Sequence, residues 1–167
     1  MSLTFTALVS LLGSHTKLFE GQTATMPISF TDEQNVEDGV TINKSDIIWI
    51  DQNRVLNATT ENIDLSGSLT DAYGDAAVFV KVNGIYIHNK QTTAGEELII
   101  GGAAANAFLL FEDATDKKAI GPDGTFYVRE PSLAGIAVTA GTGDIFKLDA
   151  GAVSNLTFDI VIWGRIA

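Results

Sequence analysis

Two histidines and a surplus of carboxylates are the side chains that could carry acid–base or metal chemistry in this 167-residue chain. It has no cysteine, which excludes disulfides, thiolate nucleophiles, zinc–thiolate sites and iron–sulfur clusters. His15 lies in a Gly-Ser-His-Thr stretch that predicts a turn, and His88 lies at the end of a predicted strand. No Gly-x-Ser-x-Gly elbow is present, so we expect no Ser–His–Asp site.

The 21 acidic residues could include a carboxylate pair for glycoside hydrolysis. Such enzymes hold sugars in aromatic grooves, yet aromatic residues make up only 8% of this chain. Trp49 and Trp163 both lie in apolar runs that predict core strands. We therefore predict that the protein is not an enzyme and has no catalytic residues.

Aspartates cluster in two predicted loops and could offer oxygen ligands to calcium. One group is Asp113 and Asp116, with Asp123 nearby, and the other is Asp71 and Asp75. Neither matches an EF-hand or a nonapeptide calcium repeat. The pattern favours solvated loops, so no metal or cofactor site is predicted, although a weak calcium site stays open.

Charge and hydropathy exclude further classes. The net charge is −11 and the basic residues are scattered, which argues against a nucleic-acid partner. No run of 18 apolar residues occurs, so we expect no membrane-spanning helix. The negative charge is uneven, because residues 1–75 hold 11 acidic and 3 basic side chains, against 10 and 7 in residues 76–167. Such an excess is typical of a solvated face.

The elements that must position these groups are short strands. Residues 3–9 (LTFTALV) alternate apolar side chains with threonine and have no preceding lysine or arginine, which predicts a strand and not a secretory signal. The NxS/T triplets at Asn43, Asn57 and Asn155 are then chance matches. We divide the chain into residues 1–45, an N-terminal strand or arm packed on or extending from the domain, and residues 46–167, a β-sandwich domain.

The segment 77–89 (AVFVKVNGIYIHN) is the strongest strand, and Asn83-Gly84 interrupts it. That pair could form a two-residue hairpin turn or a bulge within one long strand. The bulge is favoured because another turn signal follows at residues 90–95.

Nine to eleven candidate strands with glycine turns between them predict an all-β fold. We expect an antiparallel β-sandwich or a jelly-roll-like barrel with at most one or two short helices, near residues 68–73 or 103–109. The last strand would place Leu156, Phe158, Ile160 and Ile162 on one face. Its end and the N-terminal strand are candidates for pairing with a neighbouring subunit.

Several stretches together carry a family resemblance. They are residues 49–54 (WIDQNR), 61–74 (ENIDLSGSLTDAYG), 84–87 (GIYI), 100–106 (IGGAAAN), 113–116 (DATD), 121–124 (GPDG), 135–143 (GIAVTAGTG) and 158–164 (FDIVIWG). In this order the chain from about residue 46 to 164 resembles small proteins encoded in the structural gene modules of tailed phages and prophages. The first 45 residues match less well.

The resemblance implies a non-enzymatic virion component, and within that class a head decoration or cement protein. Its partners would be the major capsid protein or other virion proteins, and the chain itself as a homo-oligomer, with a trimer as one option. It would be assembled in the host cytoplasm and located in the virion. The resemblance implies no catalytic, cofactor-binding or metal-binding residue, and a tail location stays open.

Two other functions compete. A carbohydrate- or receptor-binding β-sandwich module of a phage tail or secreted protein would need exposed aromatic residues on one sheet face, for which Tyr73, Tyr86 and Tyr127 are the candidates. A small cupin-like enzyme would need histidine ligands at close spacing, which His15 and His88 do not provide.

Overall fold

The computed structural model describes residues 2–67 and 69–166, and every regular element in this part is a strand. The prediction of an all-β sandwich is confirmed, and the sheets do not close into a barrel. No helix forms at residues 69–73 or 103–109, while Ser68, Met1 and Ala167 lie outside the described residues. The described part also holds no helix suited to crossing a membrane.

The strands form three antiparallel sheets. A two-stranded ribbon pairs β1 (Thr4–Phe19) with β2 (Gln22–Glu37). The five-stranded sheet has the order β3-β11-β5-β8, with β9 also paired to β5. Its strands are β3 (Ile47–Leu56), β5 (Lys81–Asn89), β8 (Thr125–Arg129), β9 (Ile136–Ala137) and β11 (Leu156–Arg165). The four-stranded sheet has the order β4-β10-β6-β7, from β4 (Thr60–Asp64), β6 (Leu98–Gly101), β7 (Lys117–Ile120) and β10 (Ile145–Asp149).

The core lies between the four-stranded and five-stranded sheets. Alternate residues of β11 supply its centre, and the predicted face of Leu156, Phe158, Ile160 and Ile162 is confirmed, since all four are fully buried. Phe146 on β10 meets Phe108 edge to face, with ring centroids 6.1 Å apart. Burial of these aliphatic and aromatic side chains provides the main stabilisation of the sandwich.

Residues 47–50 are not a strand buried on both faces, as the apolar run suggests. Ile47 and Trp49 point into the core, whereas Ile50 remains 47% exposed. Trp163 is also buried, but on the outer side of the five-stranded sheet and not in the sandwich core. Strand β11 has β3 on one side and β5 on the other, so its end is not a free edge.

Asn83 marks a bulge, which confirms the favoured interpretation of Asn83-Gly84. Strand β5 continues through the pair, and its register with β11 shifts between Trp163 opposite Gly84 and Gly164 opposite Val82. The buried Asn83 amide donates to the carbonyl oxygen of Glu130 at 2.9 Å. The extra residue is thus held by a hydrogen bond that replaces the lost ladder contact.

Two buried polar side chains tie the loops to the sheets. Arg165 is fully buried, and its guanidinium donates to the carbonyl oxygens of Lys44, Leu133 and Ser132. Asn89 donates to three carbonyl oxygens, those of Glu96, Ile120 and Gly121. Both therefore serve the fold, because their donors are used by the backbone.

A half-buried ion cluster joins β3 to β4, where the chain passes from one sheet to the other. Arg54 donates to both Asp51 and Glu61, and it lies over the Trp49 ring at 5.7 Å. The hydrogen bond with Glu61 is the largest of the influences that raise the pKa of Arg54, although burial opposes it. The cluster covers an edge of the core without leaving a charge unpaired.

Candidate interaction surface

The ribbon of β1 and β2, hereafter the arm, is a hairpin whose two strands are joined by a tight turn. Phe19 pairs with Gln22 across Glu20-Gly21, and both turn residues have positive φ, at 47° and 80°. Positive φ at both residues is typical of a type I′ turn, whose twist suits a two-residue hairpin loop. The pairing continues without a shift from this turn to Thr4 opposite Glu37, over 16 residues in each strand. At about 3.3 Å per residue the arm is about 50 Å long.

The register segregates the arm's side chains onto two different faces. Directly paired residues share a face, and alternate residues change face. Every serine and threonine of the two strands falls on one face, hereafter the hydroxyl face. The opposite face has none, and from Val9 outward it carries an apolar set, hereafter the apolar arm face: Val9, Leu11, Met26, Ile28 and Phe30.

The base of the apolar side is anchored on the sandwich. Phe5 and Val36 are directly paired, and Phe5 meets the Trp163 ring edge to face at 5.6 Å between centroids. Trp163 is 3% exposed, and the Tyr127 ring lies beside it with centroids 6.1 Å apart. A small aromatic cluster outside the main core therefore holds the arm to the five-stranded sheet.

Gly84 allows this anchor to form. A Cβ atom at this position would lie 1.9 Å from the Trp163 ring, so the indole lies directly against the glycine backbone. Any larger residue would have to displace the ring, because 1.9 Å is far inside van der Waals contact. The glycine of the Asn83-Gly84 pair thus serves close packing and not a turn.

Polar contacts accompany the anchor. Ser45 Oγ donates to Asn83 Oδ1 at 3.3 Å, which links the segment after the arm to the bulge. Gln34 donates to Asn43 at 2.9 Å, and Arg129 forms an ion pair with Asp32 at 3.5 Å. The ion pair is largely exposed on the Asp32 side, so it contributes little beside the aromatic contact.

The outer face of the five-stranded sheet continues from the anchor as an apolar row. Strand pairing aligns Ile50, Val161, Tyr86 and Tyr127 across β3, β11, β5 and β8. Between this row and the arm lies an open groove of about 460 Å³, and Ala7 and Val9 form its arm wall. We call it the sheet groove.

The outer part of the arm, residues 11–30, extends beyond these contacts. Within the described residues no hydrogen bond, ion pair or ring contact joins it to the sandwich. Leu11 is 64% exposed, Phe30 68% and Met26 59%. The hydroxyl face also exposes Leu8, Leu12 and Leu18. Exposed apolar side chains on an extended element, as on the apolar arm face, are typical of a protein-binding site.

The structure places the two histidines in separate settings. His15 is exposed on the arm opposite Met26, and His88 lies on β5, 3.2 Å from Asp123. No group of three histidine or acidic side chains suited to a metal ion occurs among the described residues. The arrangement does not assemble the acid–base constellation considered from the sequence.

In the aspartate-rich loops, Asp71 and Asp113 accept hydrogen bonds from the backbone of their own loop. Asp71 accepts from the N–H groups of Tyr73 and Asp75, and Asp113 accepts from the N–H and hydroxyl of Thr115. The Thr115 N–H holds the pKa of Asp113 below its ordinary value. These contacts form Asx turns, the common role of aspartate in loops.

Asp144 is the buried carboxylate of the sandwich. Its Oδ2 accepts from the Gly141 N–H and from Ser66 Oγ, the latter at 2.8 Å. The Gly141 N–H is the main reason that the pKa of Asp144 lies below its ordinary value. Asp144 therefore fixes the turn before β10 in its ionised form.

Two of the three tyrosines considered for sugar binding come together. Tyr86 and Tyr127 are directly paired on β5 and β8 and line the sheet groove, whereas Tyr73 lies in a different surface loop and is 80% exposed. The N-terminal strand was expected from the sequence to pair with a neighbouring subunit, but neither the long hairpin nor its two distinct faces were predicted. The signal was present, because the hydroxyl residues change from even to odd positions across Glu20-Gly21.

Comparison with known proteins adds no relative. No family model matches the chain, and neither a curated protein nor a solved structure matches it. The geometry of the arm and of the sheet groove is therefore the basis for the functional argument.

Proposed function

We propose that the protein is a non-enzymatic structural component of a phage particle, a decoration or cement protein that binds the capsid surface. The observation that carries the proposal is the arm, which exposes apolar side chains far from the sandwich that supports it. An isolated two-stranded ribbon is marginally stable in water. An arm of this length is consistent with a protein that is completed by its neighbours in an assembly.

Charge supports an outer location in the particle. The chain has a net charge of −11, so it would be repelled by packaged DNA and tolerated on the outside of a shell. The absence of cysteine is compatible with assembly in a reducing host cytoplasm. Its partners would be the major capsid protein or other virion proteins.

The proposal is tested on particles of the phage or prophage that encodes the chain. We expect the protein in purified particles at a fixed copy number relative to the major capsid protein, measured by quantitative mass spectrometry. Purified protein should also bind empty heads that lack it, reach saturation, and raise the temperature at which the heads rupture. Absence from the particles, or no binding to the heads, would contradict the proposal.

A carbohydrate-binding module is the second candidate, and one observation favours it. Tyr86 and Tyr127 occupy directly paired positions on the outer sheet face, and aromatic side chains there could stack on sugar rings. The arm base covers part of this face through Phe5 and Trp163, which limits access. Glycan-array binding that is lost in Tyr127→Ala and kept in Tyr73→Ala would support this function, and an array without hits would remove it.

A further inference from the structure

The outer part of the arm has an apolar face with no occupant among the described residues. Leu11 is directly paired with Phe30, and Gly13 with Ile28, so the large side chains form one continuous strip. A shallow pocket of about 300 Å³ lies at its centre, lined by Val9, Leu11 and Phe30 together with Thr31 and Asp32. The strip can therefore receive side chains from another surface.

The face of the arm is better suited to the contact than the edge along β2. Strand β2 contains Pro27, which has no N–H, and it is opposite Ser14 in an unbroken register. Proline in a sheet is confined to an edge where the missing donor faces away from the ladder. Strand addition along β2 would consequently lack a hydrogen bond at this position, whereas packing on the apolar arm face would not.

Charge selects the kind of occupant. Residues 11–30 contain one lysine and one glutamate, so their formal net charge is zero in a chain of net charge −11. A basic partner would be attracted by an acidic surface, whereas residues 11–30 have Glu20 as their single acidic side chain. An acidic partner can approach residues 11–30 without net repulsion, because Asp32 at the inner end of the strip is paired with Arg129. A second copy of this chain is such a partner.

The chain also carries a surface that already accepts this type of face. The base of the same side of the arm, from Phe5 to Val9, packs against or borders the five-stranded sheet. The sheet groove beside it is open and is lined by Tyr86, Tyr127 and Val161. Apolar side chains of a second arm would extend a contact that exists within one copy.

We infer that the apolar arm face of one copy binds in the sheet groove of a second copy. This inference rests on the proposed function in one respect: the oligomer would be the unit that binds the phage particle. Leu11 and Phe30 are the central side chains of the donor surface, and Tyr86 and Tyr127 of the receiving surface. If each copy places its arm in the groove of the next copy in a closed ring, every apolar arm face and every sheet groove is occupied.

Sedimentation velocity over a concentration series tests the association. We expect the wild-type chain to form a closed oligomer, and Phe30→Asp to weaken it by about 100-fold or more in Kd. Ser29→Asp is the matched control, since it adds the same charge one residue away on the hydroxyl face and should stay within about threefold. Circular dichroism should show both variants folded, because both positions are exposed.

Cysteine cross-linking tests the receiving surface. Because the wild-type chain has no cysteine, only the introduced cysteines can form disulfides. Mixing a Phe30→Cys copy with a Tyr86→Cys copy should give a disulfide between the two different variants under mild oxidation. A monomeric wild type, equal effects of Phe30→Asp and Ser29→Asp, or disulfides only between two Phe30→Cys copies would overturn the inference. A monomer that still binds phage heads would contradict the self-association and support the proposed function. An oligomer that is absent from particles would support the self-association and contradict the proposed function.

Discussion

The arm and the sandwich are both built from strands in which apolar and polar residues alternate, but they place their apolar side chains in opposite environments. In the sandwich, β11 places Phe158, Ile160 and Ile162 between two sheets, where none of them is exposed. In the arm, Leu11 and Phe30 occupy equivalent alternating positions and remain 64% and 68% exposed. The same sequence pattern thus gives a core where a second sheet covers it and an open surface where none does.

This difference indicates where each part obtains its stability. The sandwich gains the free energy of burial from its own chain. The arm has its turn, its ladder of backbone hydrogen bonds and the Phe5–Trp163 contact at its base. Among the described residues nothing from the sandwich supports the outer part of the arm. Substitutions should consequently act on folding in the sandwich and on association in the outer arm.

The largest expected contrast is between two phenylalanines. Phe146→Ala removes a fully buried ring and should lower the free energy of unfolding by about 3–5 kcal/mol. Phe30→Ala removes an exposed ring and should change it by no more than about 0.5 kcal/mol. Urea unfolding at a protein concentration below association measures both, and an equal loss in the two variants would remove the distinction between arm and sandwich.

Gly84→Ala should separate the arm from its anchor. The new methyl group would meet the Trp163 ring at 1.9 Å, and displacing that ring should cost about 1–3 kcal/mol. The free energy of unfolding and the tryptophan fluorescence in a Trp49→Phe background would report the change. Gly13→Ala on the arm is the control, since its Cβ would meet no atom within 4 Å. Wild-type stability and fluorescence in Gly84→Ala would contradict the packing role.

Acid should weaken the sandwich through Asp144. Its folded pKa is lowered by the Gly141 N–H, so the carboxylate stabilises the fold above the unfolded pKa of about 3.9 and loses this effect as the pH falls through the folded value. Thermal unfolding from pH 7 down to about pH 2 should therefore show a steeper acid decline in the wild type than in Asp144→Asn, chiefly below pH 4. The exposed Asp75→Asn serves as the control, and identical pH profiles in all three proteins would refute the assignment.

The smallest effect is expected at the ion pair between arm and sheet. Asp32→Asn removes the partner of Arg129, but Asp32 is largely exposed and the N–O distance is 3.5 Å. Stability should change by no more than about 0.5 kcal/mol. Phe5→Ala, which removes the aromatic contact, should accelerate amide hydrogen exchange at the arm base much more than Asp32→Asn does. The opposite order would make the arm's attachment electrostatic.

Sequence patterns predicted the sandwich well because its strands are short and regularly separated by turns. The buried face of β11 and the bulge at Asn83 follow from local alternation and turn spacing, and both are confirmed. Trp163 shows the limit of such patterns, since an apolar run does not reveal on which side of a sheet a ring will be covered. The candidate surface was harder still, because exposure of Leu11 or Phe30 depends on what lies opposite them.

The amino-acid sequence by itself determined the strand-forming alternation, the acidic and cysteine-free character, and even the separation of hydroxyl and apolar side chains in the arm. Each of these depends on residue type and on the two-residue period of a strand, which are local properties. Tertiary structure alone decided that β11 lies inside a sheet, that Trp163 lies against Gly84, and that Leu11 and Phe30 remain exposed. Those outcomes depend on contacts between segments far apart in the chain, which no local pattern specifies.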